Sequence, residues 1–170
     1  MKTIFIDGYN VINSWPDLKY MKEGSFGGAR QSLIDILQNY SSYKGYKIIL
    51  VFDAHLVKGA IEHKEKYGNL LVVFTKYGET ADSYIEKNVN KIGRKIEVMV
   101  VTSDSLEQQL IFQRGATRKS SLEFYHDINS VNSRIRDRIN PELAVKRNLL
   151  EDNIENDEIR EKLDIMRKST

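Results

Sequence analysis

Four short apolar runs punctuate the first hundred positions of the chain: Thr3–Ile6, Ile48–Phe52, Leu70–Phe74 and Val98–Val101. Each is rich in Ile, Val, Leu or Phe and nearly continuous rather than alternating, the pattern of strands buried on both faces in a parallel sheet. Between the runs, apolar positions fall at helical spacing. Ala29, Leu33, Ile36, Leu37 and Tyr40 form one stripe, ended by Gly45 after a polar turn. Ala81, Ile85, Val89 and Ile92 form another, stopped by Gly93. This alternation predicts a doubly wound α/β sheet with right-handed crossovers. The polar connection from Asp53 to Asn69 reads as a loop holding at most one helical turn.

Past the fourth run the pattern predicts a short helix over Ser105–Phe112 and a loop at 114–119. Ser120 followed by Glu123 is a capping-box signature. From there Leu122, Tyr125, Ile128, Val131, Ile135 and Ile139 continue at helical spacing until Pro141 stops or restarts the helix. The last thirty residues mix charges of both signs with a thin stripe (Leu149, Ile154, Ile159, Leu163). The chain therefore reads as a domain over 1–140 and a charged, helical C-terminal extension over 141–170.

Composition narrows the function classes. At 170 residues and 41% hydrophobic, the chain is long enough to bury a full core without staples. It has no cysteine, which excludes disulfides, a thiolate zinc site and a cysteine nucleophile. The histidines His55, His63 and His126 are too scattered to suggest a histidine-built metal site. No apolar run is long enough to span a bilayer, and Asp7 interrupts the N-terminal run as no secretory signal would. A soluble, cytoplasmic protein is expected, with no membrane partner and a monomer favoured. The net charge of +2 argues against wrapping duplex DNA through bulk charge but permits local basic patches.

The informative feature is where the carboxylates fall. Asp7 closes the first run, Asp53 the second, Glu79 and Asp82 follow the third, and Asp104 follows the fourth. In a parallel sheet all strand C-termini lie on one edge, and ligands bind in the crevice outside it. Carboxylates gathered there would raise one another's pKa unless a cation compensates. Mg²⁺ or Mn²⁺ suits carboxylate, amide and water oxygens. Asn10, Thr102 and Ser103 add neutral oxygens or donors, and Gly8 and Gly78 permit tight turns. Such a site activates water and clamps phosphodiester oxygens during in-line attack. Metal-assisted phosphodiester hydrolysis is therefore the expected reaction class.

Taken singly, each Asp or Asn has a plainer reading, since these residues cap helices and make turns. Recurrence at four successive strand ends favours the functional reading for the set. His55 reads as a loop or structural histidine rather than a general base. Tyr9 and Trp15 either stack a base or cover the sheet edge, and the residues alone do not choose.

The segments IFIDGYNVI (4–12), VFDAHLVKG (51–59), GETADSYIEK (78–87) and VVTSD (100–104) together resemble the bacterial YacP-type NYN domain, a group similar to PIN domains and to the wider PIN-like metal-dependent nucleases. The resemblance spans about residues 1–140. With WPDL (15–18) and GATRKS (115–120) it extends to the ribosome-associated A-site endoribonucleases of Gram-positive bacteria. It implies a PIN-like three-layer α/β/α sandwich with a central, mainly parallel sheet, and divalent-metal-dependent RNA cleavage. By position it implies an acidic site of Asp7, Asp53, Asp82 and Asp104, supported by Asn10 and Glu79. Asp7, Asp82 and Asp104 would be the metal ligands, while Asp53 and Glu79 would support them or bind a second metal. The implied substrate is mRNA in the ribosomal A site, so the ribosome and its RNA are the implied partners.

RNA also requires cations beside the acidic cleft. Arg114, Arg118 and Lys119 lead into a helix carrying Arg134, Arg136 and Arg138, and the second-strand loop offers Lys58, Lys64 and Lys66. Arg30 lies near the start of the first striped helix. The plain alternative for all of these is a solvated surface. Two rival functions remain open at this level. An aspartyl-phosphate enzyme would use Asp7, but its second aspartate is replaced by Tyr9. A catalytically silent PIN-like module would dock on RNA or ribosomes, although the intact carboxylate set speaks against it.

Overall fold

The computed structural model describes residues 1–55, 58–92, 96–103 and 115–139. The first segment opens with strand β1 (Thr3–Asp7), helices α1 (Gly8–Ser14), α2 (Pro16–Gly24) and α3 (Phe26–Lys44), then β2 (Lys47–Phe52). There follow β3 (His63–Tyr67), β4 (Leu70–Phe74), α4 (Ala81–Ile92), β5 (Val98–Val101), β6 (Thr117–Lys119) and α5 (Ser121–Ile139). The chain divides into two units, Met1–Ile128 and Asn129–Thr170. The first unit holds the whole sheet. The second is described only over the latter half of α5.

The six strands lie in the order β3-β4-β2-β1-β5-β6, parallel throughout except for β3 against β4. The four apolar runs occupy the centre. Their alternate residues divide between two layers, as the period of a strand requires. Phe5, Ile49, Val51, Val73, Val98 and Val100 pack with Ala81, Tyr84, Ile85 and Val89 of α4 in one core. Ile4, Ile6, Ile48, Leu50 and Phe52 are buried on the opposite side, where α1 and α3 contact β2. Phe124 of α5 joins that layer through rings 6.2 Å from Trp15 and 5.5 Å from Tyr40. The α/β/α sandwich expected from the sequence is the fold observed.

Local chemistry sets the helix limits. Ser25 Oγ accepts the Gly28 N–H at 3.0 Å to cap α3, and Gly45 ends that helix in the left-handed conformation at φ 66°. The capping box opens α5, with Ser120 N–H donating to Glu123 Oε2 at 2.7 Å and Glu123 N–H to Ser120 Oγ at 3.2 Å.

Three details differ from the sequence expectations. Residues 63–67 are not loop but an edge strand, which needs no apolar run because much of its surface faces water. It is paired by a tight turn at Gly68 (φ 58°). The segment 117–119 is likewise a short polar edge strand, beside β5. The apolar stripes are also rotated: Ile34 rather than Ile36 is fully buried in α3, and in α5 Phe124, Ile128 and Val131 are buried while Leu122 and Ile139 are exposed. The capping box fixes where α5 starts, and the gap between Trp15 and Tyr40 selects Phe124 for burial. The expected helix at 105–112, the Gly93 stop and residues 141–170 lie outside the described residues. Among the described residues, no helix is long and apolar enough to cross a membrane.

Gly8 is required by close approach rather than by backbone angle. A Cβ there would lie 2.6 Å from Cδ1 and 3.0 Å from Cζ of Phe52, a ring packed wholly inside. Gly8→Ala should therefore cost about 1–3 kcal/mol through overpacking, read as a lower melting temperature in thermal denaturation with the helical content retained.

Candidate active site

Asp7 is the last residue of β1 and the N-cap of α1. Its Oδ1 accepts the Asn10 backbone N–H at 3.1 Å, and the Tyr9 N–H also donates to the carboxylate. These bonds favour the charged form, but they are outweighed. Burial, the largest effect, together with the charges of Asp82 and Asp53, raises the Asp7 pKa from 3.8 to about 6. Asp53 and Asp82, which follow two other strands, therefore lie near enough to act on the Asp7 charge.

Each partner is held by its own local device. Asp53, one residue beyond β2, accepts the His55 backbone N–H at 2.8 Å and is paired with the His55 Nδ1. His55 is thus engaged by the acidic site rather than free in a loop. Its carbonyl accepts the Gly78 N–H at 3.1 Å, joining the loop after β2 to the loop after β4. Gly78 makes that turn at φ 79°. Thr75, fully buried, adds a second tie through the Ala54 N–H to its Oγ1 at 2.9 Å. Glu79 is nearly buried: one oxygen lies 3.7 Å from Lys87 Nζ, and no donor among the described residues reaches Oε2. Asp82 sits exposed in the first turn of α4, where the helix dipole favours its charge.

Asn10 is braced across the molecule. Its Oδ1 accepts the Ser121 Oγ–H at 2.5 Å, the Ser121 carbonyl accepts Trp15 Nε1–H at 2.8 Å, and the Ser121 N–H reaches Ser103 Oγ at 3.4 Å. Trp15 is therefore a buried brace and not a free stacking surface. Ser121, Thr75 and this use of Trp15 were missed in the sequence. Serine and threonine beside strand and helix ends are too common to stand out, and the contacts span up to 111 positions.

Of the candidate RNA-binding cations, Arg30 is brought to this edge, with its guanidinium 5.9 Å from the Phe74 ring centre. Lys58 is exposed in the loop after β2. On β6, Lys119 is paired with Asp127, whereas the half-buried Arg118 has an Nε that meets no acceptor among the described residues. Asp104 and Arg114 lie outside the described residues. Among those described, no three His, Asp or Glu side chains cluster tightly enough to hold an ion. The donor set at the edge nevertheless consists of hard oxygens of the kind Mg²⁺ or Mn²⁺ takes, and the Asp7 pKa is raised first by burial and further by the charges of Asp82 and Asp53.

The family model for the YacP-like NYN domain matches residues 4–168. The chain belongs to this family. It is 44% identical over 140 residues to the uncharacterized protein YacP of Bacillus subtilis (strain 168), covering 82% of each chain. A crystal structure of Rae1 (YacP) from Bacillus subtilis superposes with a TM-score of 0.70 at 40% identity, covering 93% of both chains. That of a mutant of the same protein gives 0.72 at 38% identity over 85% of both. The NYN domain is a nuclease domain.

The Asp7 shift has a consequence for stability. Because the folded-state pKa lies above the unfolded one, the native state is favoured fully below about pH 4 and loses that advantage as pH rises through 6. At neutral pH the buried charge costs on the order of 2–3 kcal/mol. Asp7→Asn keeps a capping oxygen without the charge. It should melt higher than the parent at pH 7.5, with the gain shrinking toward zero below pH 4 in a pH series of thermal melts.

Proposed function

We propose that the chain is a divalent-metal-dependent endoribonuclease that hydrolyses mRNA phosphodiester bonds, acting in the ribosomal A site during translation. The observation that carries the reading is the half-buried Asp7 carboxylate, with the charges of Asp82 and Asp53 acting on it, at the C-terminal edge of a parallel sheet. A structural cap has no need of such crowding, which the fold must offset elsewhere. Membership of the NYN nuclease family and the resemblance to A-site endoribonucleases support the same reading.

In this mechanism Asp7, Asp82 and Asp104 would hold Mg²⁺ or Mn²⁺, which would supply water activation and charge compensation on the phosphate oxygens. The chain's own residues supply position. The Tyr9 and Asn10 N–H groups fix the Asp7 carboxylate, the paired His55 fixes Asp53, and Ser121 fixes the Asn10 amide. Glu79 brings an unsatisfied carboxylate oxygen from the loop before α4. Arg30 supplies a cation for a neighbouring phosphate, and Lys58, Arg114, Arg118 and Lys119 form the wider basic surroundings for mRNA or ribosomal RNA. With the ribosome presenting the strand, modest net charge suffices, because positioning replaces bulk attraction.

The test is cleavage of free mRNA and of mRNA on translating ribosomes by the purified chain in Mg²⁺ or Mn²⁺. Ribosome-engaged mRNA should be cut to 5′-phosphate and 3′-hydroxyl ends. Chelation should abolish the reaction, and Asp7→Asn or Asp82→Asn should slow it at least about 10²-fold, the scale of losing a group that stabilises developing charge. A 2′,3′-cyclic phosphate would overturn the water mechanism. Ribosome binding without any cleavage would leave a docking module.

A further inference from the structure

A continuous band of rings crosses the same edge as the carboxylates. Phe26 meets Tyr9 edge-on at 5.2 Å, Tyr9 lies 5.3 Å from Phe52, Phe52 stacks on Phe74 at 5.4 Å, and the Arg30 guanidinium covers Phe74 at 5.9 Å. Phe52 is core, but the band opens outward. Tyr9, Phe74 and Arg30 are half-buried, and Phe26 is 40% exposed. Phe26 and Arg30 stand four residues apart, on one face of the first turns of α3. Tyr9 is also the residue whose N–H donates to Asp7, so the band begins at the acidic site itself.

A lone exposed phenylalanine is unremarkable on a protein surface. Here it ends a ring series that starts beside Asp7 and carries a guanidinium. Flat π faces beside a fixed cation suit an unpaired base followed by its phosphate, which is how single-stranded RNA is held without reading its sequence. An acidic peptide would bring the cation a carboxylate but no flat ring for the π faces, whereas a single strand brings a base and a phosphate together. We infer that Phe26 and Tyr9 form a stacking subsite for an unpaired nucleobase flanking the scissile phosphate, with Arg30 binding the adjoining phosphate. The inference rests on the nuclease reading of the acidic edge and adds to it how the strand is gripped.

The experiment is equilibrium binding of a short fluorescent oligouridine and of its abasic counterpart, with chelator present so that nothing is cleaved. The parent should bind the oligouridine about tenfold or more tighter than the abasic strand, the effect expected for one stacked base. Phe26→Leu retains apolar bulk without a π face and should bind both strands about equally, at the weaker level. A purely structural role for Phe26 would lower both affinities and leave their ratio unchanged, and that result overturns the inference. Equal binding of the two strands by the parent also overturns it. Cleavage lost in Asp7→Asn is read separately, so failure of the stacking subsite and failure of the nuclease reading are distinguishable.

Discussion

The rest of the molecule is arranged around a carboxylate held where its charge is disfavoured. Asp7 ends the strand with β2 on one side and β5 on the other, both parallel to it. Asp7 is registered against Val51 and Ile6 against Val101, so neighbouring strands run out at nearly the same level. Whatever follows each strand is delivered to one line. For β2 that is Asp53, and for β4 it is the loop that leads to Glu79 and Asp82. Parallel pairing thus brings residues far apart in the chain near one another, and the Asp7 pKa, raised first by burial, is raised further by the charges of Asp82 and Asp53.

Such crowding survives only if the surroundings over-determine it. The two layers of Ile, Val, Leu and Phe on either side of the sheet supply the favourable burial. Hydrogen bonds then fix orientation more than they add stability. The Trp15–Ser121–Asn10 chain joins the α1–α2 corner to the start of α5, while the His55 carbonyl and Thr75 hydroxyl join the loops beyond β2 and β4. Loops that carry function are thereby set by a rigid scaffold. The close fit of Gly8 against Phe52 belongs to the same economy, since it lets α1 start immediately at the end of β1.

The edge is chemically divided. Carboxylates occupy the side toward α4, and rings with Arg30 occupy the side toward α3. The two groups meet at residues 7–9, where Asp7 and Tyr9 are separated by a single glycine.

The central strands, the α/β class, the capping box of α5 and the place of Asp7 and Asp53 at strand ends were all legible in the sequence. Each is written in local spacing: continuous apolar runs for doubly buried strands, Ser120 with Glu123 for a helix start, Asp7 and Asp53 immediately after a run. The polar edge strands β3 and β6 were not legible, because strands with little burial leave no apolar run. The phase of the α5 stripe, the Ser121 brace, the burial of Trp15 and the pairing of Lys119 with Asp127 were likewise hidden. Those depend on which surface meets which, and partners over a hundred positions apart carry no local signal. The sequence by itself determined which residues could form a charged edge. Only the tertiary structure decided that Asp7 would be the carboxylate whose pKa rises, since desolvation and mutual repulsion exist only once the strands are side by side.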